Sequence, residues 1–329
     1  MKILVTGGAG FIGSEFVRMA LRNELPGVQD PSVVVLDALT YAGDERNLAE
    51  VSELPNYRFV RGDIRDSRLV NELFAEVQCV VHFAAESHVD RSITGAAEFV
   101  STNVGGLQVL LDSLRHRPDV RFVNVSTDEV YGSIAEGSWP EEHPLLPNSP
   151  YSASKAAGDL LVRAYVKTFN LDLLITRCSN NYGPYQFPEK VIPLFVTNLI
   201  EGKRVPLYGQ GLNVRDWLHV KDHCRGIALV MTKGKQGEIY NIGGGTELNN
   251  LELTRRILEL MGSDDSAIER VSDRKGHDLR YSVDITKIRQ ELGYEPKVPF
   301  DEGLRSTIKW YQDNAWWWQA HKTLQSRAT

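Results

Sequence analysis

Residues 2–13 read Lys-Ile-Leu-Val-Thr-Gly-Gly-Ala-Gly-Phe-Ile-Gly, an apolar run that leads directly into a glycine-rich loop. Glycine permits a tight turn between a strand and a helix, and it lets the backbone approach a pyrophosphate at the positive helix N-terminus. The segment therefore predicts a strand, a dinucleotide-binding loop and a helix. The predicted contacts are Gly7, Gly10, Phe11, Ile12 and Gly13. A glycine turn without a ligand remains the alternative for this motif alone.

Short apolar segments alternate with helical ones through the first half of the chain. The predicted strands are residues 2–6, 33–37, 57–61, 79–83, 121–126 and 173–177, and the predicted helices are residues 11–21, 66–75, 96–115 and 151–169. This alternation, with continuous apolar strands, is typical of a parallel sheet covered by helices on both faces. The predicted fold class is therefore α/β, a doubly wound parallel-sheet Rossmann domain.

After residue 177 the sequence becomes richer in Pro, Gly and Asn, with helical segments at 191–201, 220–232, 251–261 and 300–314. We interpret this half as a smaller C-terminal substrate domain that is interleaved with the first. The dinucleotide-binding domain is predicted to span residues 1–178 and the substrate domain mainly residues 179–329. Segments of about 216–240 and 281–305 are expected to pack back on the first domain.

The composition excludes several classes of protein. The 329 residues carry a formal net charge of −6, whereas a nucleic-acid-binding protein is usually basic. No apolar stretch approaches the roughly 20 residues that a membrane helix needs. Cys79, Cys178 and Cys224 are few and far apart, so we expect reduced thiols and a cytoplasmic location. No Cys/His set has metal-ligand spacing, so we expect no metal.

Small and polar residues follow each predicted strand, at the sheet edge where ligands collect. Asp37 ends the second strand, where a carboxylate accepts hydrogen bonds from the adenosine ribose and repels a 2′-phosphate. This position favours NAD over NADP as the cofactor. After the third strand, Asp63 and Ile64 are expected to cover the adenine, with Asp63 accepting a hydrogen bond from its amine. A simple turn residue is the alternative for Asp63.

Tyr151 and Lys155 lie four residues apart, directly after a plausible helix cap at Ser149 and a proline at position 150. This spacing places both side chains on one helix face. The ammonium group of Lys155 is expected to lower the pKa of Tyr151 towards neutrality, so that its phenolate takes a proton from an alcohol. A chance Tyr-x-x-x-Lys pattern is the alternative when the pair is taken alone.

The fifth predicted strand runs into Ser126-Thr127-Asp128-Glu129. Two adjacent carboxyl groups at a buried strand end repel each other, and burial disfavours ionisation of both. One is expected to keep its proton and act as an acid while the other acts as a base, a pairing suited to the elimination of water. An acidic pair that faces solvent is the alternative.

Several segments carry a resemblance to a known family. They are Ala-Ala-Glu-Ser-His-Val-Asp-Arg-Ser from Ala84, Ser-Thr-Asp-Glu-Val-Tyr-Gly from Ser126, Asn-Asn-Tyr-Gly-Pro-Tyr-Gln from Asn180 and Arg-Lys-Gly-His-Asp-Leu-Arg-Tyr from Arg274. With the glycine loop and the Tyr-x-x-x-Lys pair, they resemble the extended short-chain dehydrogenase/reductases, and among these the dTDP-glucose 4,6-dehydratases. The resemblance runs from Met1 to about Tyr311, and the tail beyond it is less informative.

The resemblance implies roles for the catalytic candidates. Tyr151, held by Lys155, removes the C4 hydroxyl proton while NAD⁺ takes the C4 hydride, and Thr127 hydrogen-bonds the oxygen. Glu129 abstracts the C5 proton, and Asp128 protonates the C6 hydroxyl as it leaves. The hydride then returns to C6, which gives dTDP-4-keto-6-deoxyglucose for deoxysugar biosynthesis. The related 4-epimerases share the fold but lack the Asp-Glu pair.

The resemblance also implies the remaining contacts and the assembly. Further cofactor contacts are Ala84, Ala85, Ser87 and Asn181. The contacts to dTDP-glucose are Ser87, His88, Asn180, Glu189, Lys190, Pro206, Tyr208, Arg215, Asn250, Arg274, His277 and Tyr281. Helices 96–115 and 151–169 carry apolar residues on more than one face, so a face not covering the sheet is expected to meet a partner. The resemblance implies that this partner is a second copy of the chain, in a homodimer through a four-helix bundle.

Alternatives remain open for the activity and for the nucleotide. A 4-epimerase or another nucleotide-sugar dehydratase is the rival within the enzymes, and a non-catalytic dinucleotide sensor on the same fold is the rival from another class. The chemistry at the sugar does not depend on the base. Pro206 and Tyr208 are therefore expected to select thymidine over uridine by contact with the thymine methyl group.

Overall fold

Helices and strands alternate through the first 240 residues of the computed structural model, which describes residues 1–273 and 276–328. Its strands are β1 (Lys2–Thr6), β2 (Ser32–Asp37), β3 (Tyr57–Arg61), β4 (Cys79–His82), β5 (Arg121–Thr127), β6 (Leu173–Cys178), β7 (Asn180–Tyr182), β8 (Val205–Tyr208), β9 (Val214–His219), β10 (Ile239–Ile242), β11 (Glu247–Asn249) and β12 (Ile268–Val271). Its α-helices are α1 (Phe11–Leu21), α2 (Ser67–Phe74), α3 (Val89–Thr94), α4 (Ala97–Val100), α5 (Leu107–Leu114), α6 (Pro150–Phe169), α7 (Val191–Ile200), α8 (Val220–Lys233), α9 (Asn250–Leu260), α10 (Thr286–Leu292), α11 (Phe300–Asp313) and α12 (Ala315–Ala328).

Among the described residues, seven of these strands form one sheet in the order β10-β6-β5-β4-β1-β2-β3. All of its neighbouring strands pair in parallel. Because side chains alternate along a strand, Ile3 and Val5 pack against α1 and α8 on one face, whereas Leu4 packs against α2 and α5 on the other. The structure confirms the predicted doubly wound α/β fold.

The second half of the chain contributes both to this sheet and to a separate layer. Strand β10 extends the main sheet beside β6, and α8 packs against β5 and β6. The small sheets β11-β9-β7 and β12-β8 lie with α7, α9 and α11 around a third apolar cluster. The predicted domain boundary at residue 178 stays a prediction.

Several elements differ from the sequence prediction. The predicted helix 96–115 is helical from Ala97 to Leu114, but a π-helical segment (Ser101–Gly106) separates α4 from α5. Helices α3, α10 and α12 and strands β7 to β12 were not predicted, and all of them except α12 are too short for a clear periodic pattern. No helix in the described part of the chain has the length and apolar character needed to cross a membrane.

One ion pair lies in the centre of the fold. The Nε atom of Arg177 on β6 donates to Oδ2 of Asp159 on α6 at 2.9 Å, and both side chains are almost fully buried. The guanidinium also donates to the hydroxyl of Tyr131 at 2.8 Å, and Asn124 donates to the second oxygen of Asp159 at 3.1 Å. Charges taken out of water need such partners.

Replacing Asp159 with asparagine should therefore lower the free energy of unfolding by about 3–5 kcal/mol, because Arg177 keeps its buried charge without a counter-charge. The matched control is Asp313→Asn, which breaks the exposed Lys309–Asp313 pair of 2.9 Å and should change stability by less than about 1 kcal/mol. Urea unfolding followed by tryptophan fluorescence measures both variants. Equal effects of the two substitutions would contradict the importance of the buried pair.

Candidate active site

A cavity of about 360 Å³ opens at the carboxyl ends of β1, β2, β4, β5 and β6. The predicted cofactor residues all line it: Gly7, Gly10, Phe11, Ile12, Gly13, Asp37, Asp63, Ile64, Ala84, Ala85, Ser87, Tyr151, Lys155 and Asn181. The predicted catalytic residues Thr127, Asp128 and Glu129 line the same cavity. The parallel sheet therefore brings together residues that the sequence separates by up to 174 positions (7 to 181).

The glycine loop forms a tight cradle in this cavity. Gly7 has φ of +69°, and a Cβ atom there would lie 2.5 Å from the backbone nitrogen of Ala84. A Cβ atom on Gly13 would lie 2.3 Å from the carbonyl oxygen of Gly7. Gly10 precedes α1 and has no side chain to cap it. Only glycine fits at positions 7 and 13, and the uncapped helix N-terminus suits a dinucleotide pyrophosphate.

Asp37 lies at the end of β2, and its carboxyl group is hydrogen-bonded to the glycine loop. Its Oδ2 accepts a hydrogen bond from the backbone of Ala9 at 2.9 Å, and its Oδ1 accepts one from Leu39 at 2.8 Å. Burial raises the pKa of this carboxyl group, although both backbone hydrogen bonds oppose the shift. The carboxyl group is thus oriented by backbone donors and has further lone pairs for ribose hydroxyls.

Asp63 is paired with a neighbouring arginine at the edge of the first cavity. Its two oxygens accept hydrogen bonds from the guanidinium of Arg65, with a closest distance of 2.7 Å. These bonds lower the pKa of Asp63, which is partly exposed at the cavity rim. A hydrogen bond from adenine to this carboxylate stays a prediction.

The acidic pair lies in the turn that follows β5. Asp128 is 3% exposed, and its Oδ1 accepts a hydrogen bond from the hydroxyl of Thr127 at 3.2 Å. Its Oδ2 has no hydrogen-bond partner among the described residues. Burial first, and then the neighbouring Glu129, raise the pKa of Asp128 well above its usual range. Both effects favour the protonated form of Asp128, which is the form that could donate a proton into the cavity.

Helix α6 presents Tyr151 and Lys155 to the same cavity. Ser149 and Ser152 form a reciprocal capping box, and Pro150 is the first helical residue, as the sequence predicts. The ammonium group of Lys155 donates to the carbonyl oxygen of Val125 at 2.8 Å. The backbone of β5 thus fixes Lys155 on the helix face that carries Tyr151.

The expected lowering of the Tyr151 pKa is wrong for the protein chain alone. Burial first, then the charges of Glu129, Cys178 and Asp128, raise the pKa of Tyr151, while a hydrogen bond with Thr127 opposes them. Burial also lowers the pKa of Lys155, so it disfavours the ammonium form that would stabilise the phenolate of Tyr151. The sequence showed the pairing of Tyr151 with Lys155 but not the acidic surroundings of the phenol.

A second cavity of about 210 Å³ adjoins the first. Ser87, Glu129, Asn180, Glu189 and Lys190 line both cavities. The predicted substrate residues that line the second one are Ser87, His88, Asn180, Glu189, Lys190, Pro206, Tyr208, Arg215, Asn250, His277 and Tyr281. The remaining candidate, Arg274, lies outside the described residues. Glu129 therefore stands at the junction between the predicted cofactor and substrate sites.

Arg215 is the buried cation of the second cavity. Its guanidinium donates to the backbone oxygen of Asp278 at 3.0 Å and lies over the ring of Tyr281, 4.3 Å from its centroid. The hydroxyl of Tyr281 donates to Oδ2 of Asp278 at 2.5 Å, and Asn148 donates to Oδ1 at 2.6 Å. Asp278 thus orients both Arg215 and Tyr281 and attaches them to the segment before α6.

The opposite wall of the second cavity carries a set of charged groups. Nε2 of His88 lies 3.6 Å from Glu189, and Arg91 lies 3.5 Å from the same carboxylate. Lys190 donates to the backbone oxygen of Ser87 at 3.2 Å. Burial raises the pKa of Glu189.

Tyr208 and Pro206 form the far end of the cavity on β8. The ring of Tyr208 meets the edge of His277 at a centroid distance of 6.3 Å. Nδ1 of His277 lies 2.7 Å from Asp273, which fixes the imidazole. Pro206 and the 36% exposed Tyr208 give this end apolar surface.

Two supporting residues, Asn103 and Asp278, were not predicted from the sequence. Asn103, in the π-helical segment, binds both the N–H and the C=O of Glu86 at 2.9 and 3.0 Å and also donates to Ser154. It fixes the loop after β4 against α6. Asp278 was missed because a lone aspartate in a loop carries no pattern. Among the described residues, no group of three or more His, Cys, Asp or Glu could hold a metal ion.

Comparisons with known proteins extend these observations. The family model described as GDP-mannose 4,6 dehydratase matches residues 4–307. A dTDP-glucose 4,6-dehydratase of Streptomyces niveus is 60% identical over 324 residues, which cover 98% of this chain and 96% of that protein. The crystal structure of DesIV, a dTDP-glucose 4,6-dehydratase from Streptomyces venezuelae with NAD bound, has a TM-score of 0.96 at 59% identity and covers 98% of this chain and 100% of that chain.

A more distant structure shows how far the fold is shared. The UDP-glucose 4-epimerase of Thermotoga maritima, solved with UDP-glucose, has a TM-score of 0.87 at 31% identity and covers 96% of this chain and 100% of that chain. The architecture is therefore common to proteins with different activities. Particular side chains in the cavity must decide which reaction takes place.

The buried Asp128 gives a pH-dependent prediction for stability. A carboxyl group whose pKa is raised in the folded state stabilises the fold fully below its unfolded pKa of about 3.9, and this stability is lost as the pH rises through the folded pKa. Asparagine does not titrate. Asp128→Asn should therefore be more stable than the parent near neutral pH.

The gain should shrink towards zero as the pH falls to about 4. Thermal unfolding of both cofactor-free proteins between about pH 4 and pH 8 measures it. A stability difference that does not change with pH would mean that Asp128 has an ordinary pKa.

Proposed function

The chain belongs to the dTDP-glucose 4,6-dehydratase family, and on this premise we propose that it converts dTDP-glucose into dTDP-4-keto-6-deoxyglucose with NAD as its bound cofactor. One observation carries the proposal. Asp128, whose pKa is raised by burial, and the adjacent Glu129 lie in the same cavity as Tyr151 and Lys155. Removal of water beside a ketone requires an acid and a base, and formation of the ketone requires a group that takes the proton of the alcohol. Asp128, Glu129 and the Tyr151–Lys155 pair could fill these roles in one cavity.

The first cavity fits NAD. The glycine cradle would hold the pyrophosphate, Asp37 the adenosine ribose, and Tyr151 and Lys155 the nicotinamide end. When bound, oxidised NAD accepts the hydride from C4 of the glucosyl group, returns it to C6, and supplies a positive charge that favours the phenolate of Tyr151.

The chain's own residues carry the proton transfers. Tyr151 removes the proton of the C4 hydroxyl, and Thr127, which hydrogen-bonds the phenol, holds the same oxygen. Lys155, fixed on the carbonyl of Val125, orients the tyrosine. The resulting C4 ketone makes the C5 proton acidic.

Glu129 then removes the C5 proton, because it stands where the two cavities join. Asp128 donates its proton to the C6 hydroxyl, which leaves as water, and the C5–C6 double bond forms. Return of the hydride to C6 and of a proton to C5 completes the reaction. One water is lost from the sugar, and the cofactor ends in its starting state.

The test of this function is incubation of the purified protein with dTDP-glucose and mass measurement of the sugar nucleotide. Loss of one water supports the dehydratase, an unchanged mass with a new epimer supports a 4-epimerase, and no reaction supports a dinucleotide sensor.

The same assay with UDP-glucose tests the selection of the nucleotide base. A single buried methyl group gives at most about 1–3 kcal/mol, so kcat/KM should favour dTDP-glucose by roughly 10–200-fold. Equal kcat/KM values for dTDP-glucose and UDP-glucose would contradict the proposal that Pro206 and Tyr208 select thymidine.

Substitutions at the acid and the base should separate the steps. Tyr151→Phe should stop the reaction before any C5 chemistry. Glu129→Gln should abolish deuterium uptake at C5 in heavy water, and Asp128→Asn should slow water loss, each by about 100-fold or more in turnover. Glu98→Gln, at the exposed rim of the first cavity, is the matched control and should retain activity. Normal C5 exchange in Glu129→Gln would remove Glu129 from the role of base.

We also propose a homodimer formed through α5 and α6. Val162 of α6 is buried against the sheet, whereas Leu160 and Phe169 of the same helix are 52% and 40% exposed. A helix that is apolar on two faces suits a second copy of the chain. Light scattering should show a dimer for the parent protein, and Leu160→Glu should weaken it. Leu212→Glu changes a leucine outside α5 and α6 that is 58% exposed, and it should leave the dimer unchanged. A monomeric parent protein would contradict the proposal.

We propose a cytoplasmic location as well. Cys79, Cys178 and Cys224 are buried free thiols. Unpaired, buried cysteines suit a reducing compartment.

A further inference from the structure

The run Trp316-Trp317-Trp318 begins α12, at the end of the chain and far from the glycine loop in sequence. Trp316 is 55% exposed, but Trp317 and Trp318 are completely buried. A buried indole N–H needs an acceptor. Trp318 donates to the backbone oxygen of Tyr311 on the neighbouring helix at 2.8 Å. Trp317 instead donates to Oδ1 of Asn47 at 2.8 Å, 270 residues away.

Asn47 connects this tryptophan with the predicted cofactor loop. Its side chain is 1% exposed, and its Nδ2 donates to the backbone oxygen of Ala9 at 2.8 Å. The backbone N–H of Ala9 donates in turn to Asp37 at 2.9 Å. Hydrogen bonds therefore run without a break from Trp317 through Asn47 and Ala9 to the carboxyl group that faces the cofactor cavity.

His321 makes a second connection one turn further along α12. Its Nε2 lies 3.0 Å from Oδ2 of Asp44, and the backbone N–H of Asp44 donates to Ala9 at 3.1 Å. The imidazole ring also packs 4.5 Å from Trp317 and 5.0 Å from Phe187, which lines the cofactor cavity. The carbonyl oxygen of Ala9 thus accepts two hydrogen bonds, and α12 supports both donors.

The supported segment needs such help because it is irregular. Between the end of β2 at Asp37 and the 3₁₀ turn Glu45–Leu48, the chain has no regular secondary structure, and Leu39 has φ of +53°. Fixing an irregular backbone costs conformational entropy at each residue. A ligand bound by a segment already held in place does not bear that cost.

We propose that α12 positions the cofactor-binding segment, with Trp317, Asn47 and His321 as positioning residues for NAD. They do not touch the cofactor; they hold residues 37–48 against Ala9, so that Asp37 meets the adenosine ribose in a fixed orientation. The inference rests on the proposed function in one respect, since it takes NAD to be the ligand of the first cavity. Retention of NAD through a catalytic cycle that returns it unchanged would then depend on the last helix of the chain.

The test compares two tryptophans of the same helix. Trp317→Phe keeps an aromatic ring but removes the donor to Asn47, whereas Trp318→Phe removes the donor to Tyr311 and leaves the cofactor segment untouched. Calorimetric titration of cofactor-free protein with NAD⁺ should give a Kd about 5–10-fold higher for Trp317→Phe, as expected for one lost hydrogen bond. Trp318→Phe should bind NAD⁺ like the parent, and the Kd for dTDP should be unchanged in both.

Hydrogen exchange of the cofactor-free proteins gives a readout independent of NAD. The amides of Ala9 and Asp44 should exchange faster in Trp317→Phe than in Trp318→Phe. His321→Phe, which keeps the ring but loses the contact with Asp44, should act in the same direction and serves if Trp317→Phe does not fold. The double variant Trp317→Phe/Asn47→Ala should weaken NAD⁺ binding by less than the product of the two single effects.

Two outcomes would overturn the inference. One is an unchanged Kd for NAD⁺ in both Trp317→Phe and His321→Phe. The other is equal weakening by Trp317→Phe and Trp318→Phe, since this would mean a general loss of stability. Failure of the parent protein to bind NAD⁺ would count instead against the proposed function.

Discussion

Parallel pairing of β1 with β4, of β4 with β5 and of β5 with β6 is the constraint on which the site depends. Thr6 pairs with His82 and His82 with Asn124, so the ends of β1 and β4 lie level with each other, and β5 continues three residues further to Thr127. Beyond this level lie the glycine loop, the Ala84–Ala85 segment and, at the end of β5, the residues Ser126–Glu129. Parallel strands have all their carboxyl ends on one edge, and only this arrangement places the three segments around one cavity.

The site so formed opposes the stability of the fold. Burial raises the pKa of Asp128 and lowers that of Lys155, so the charged form of each is disfavoured in the folded protein. Apolar clusters on both faces of the sheet offset this cost, and the Arg177–Asp159 pair fixes β6 against α6. The same burial that disfavours the Asp128 carboxylate favours the protonated form that an acid needs. Stability and reactivity are therefore opposed at this one residue.

The features visible in the sequence were those that repeat or that concentrate at strand ends. The strands of the first half, the glycine loop, Asp37 and the Tyr151–Lys155 spacing follow from local patterns, and the described candidates all line the two cavities. The pKa of Tyr151 could not be predicted, because it depends on Glu129 and Cys178, which reach the phenol only through the fold. The partner of Trp317 lies 270 residues away, and no periodicity encodes such a contact.

The two cavities are joined by hydrogen bonds as well as by space. The loop that carries His277 and Tyr281 is attached through Asp278 to Asn148, next to the cap of α6. The backbone N–H groups of Leu279 and Arg280 in the same loop donate to Ser133, which follows the turn bearing Asp128 and Glu129. The loop of predicted nucleotide contacts is thus hydrogen-bonded to the segment that follows Glu129 and to the segment that precedes Tyr151. Since misplacement by about 1 Å can reduce a rate by about 100-fold, such connections would let binding of the unreactive nucleotide fix the geometry at C4, C5 and C6. This coupling gives a physical reason for the predicted interleaving of a substrate domain with a cofactor domain, because a separate domain on a linker could not hold that distance.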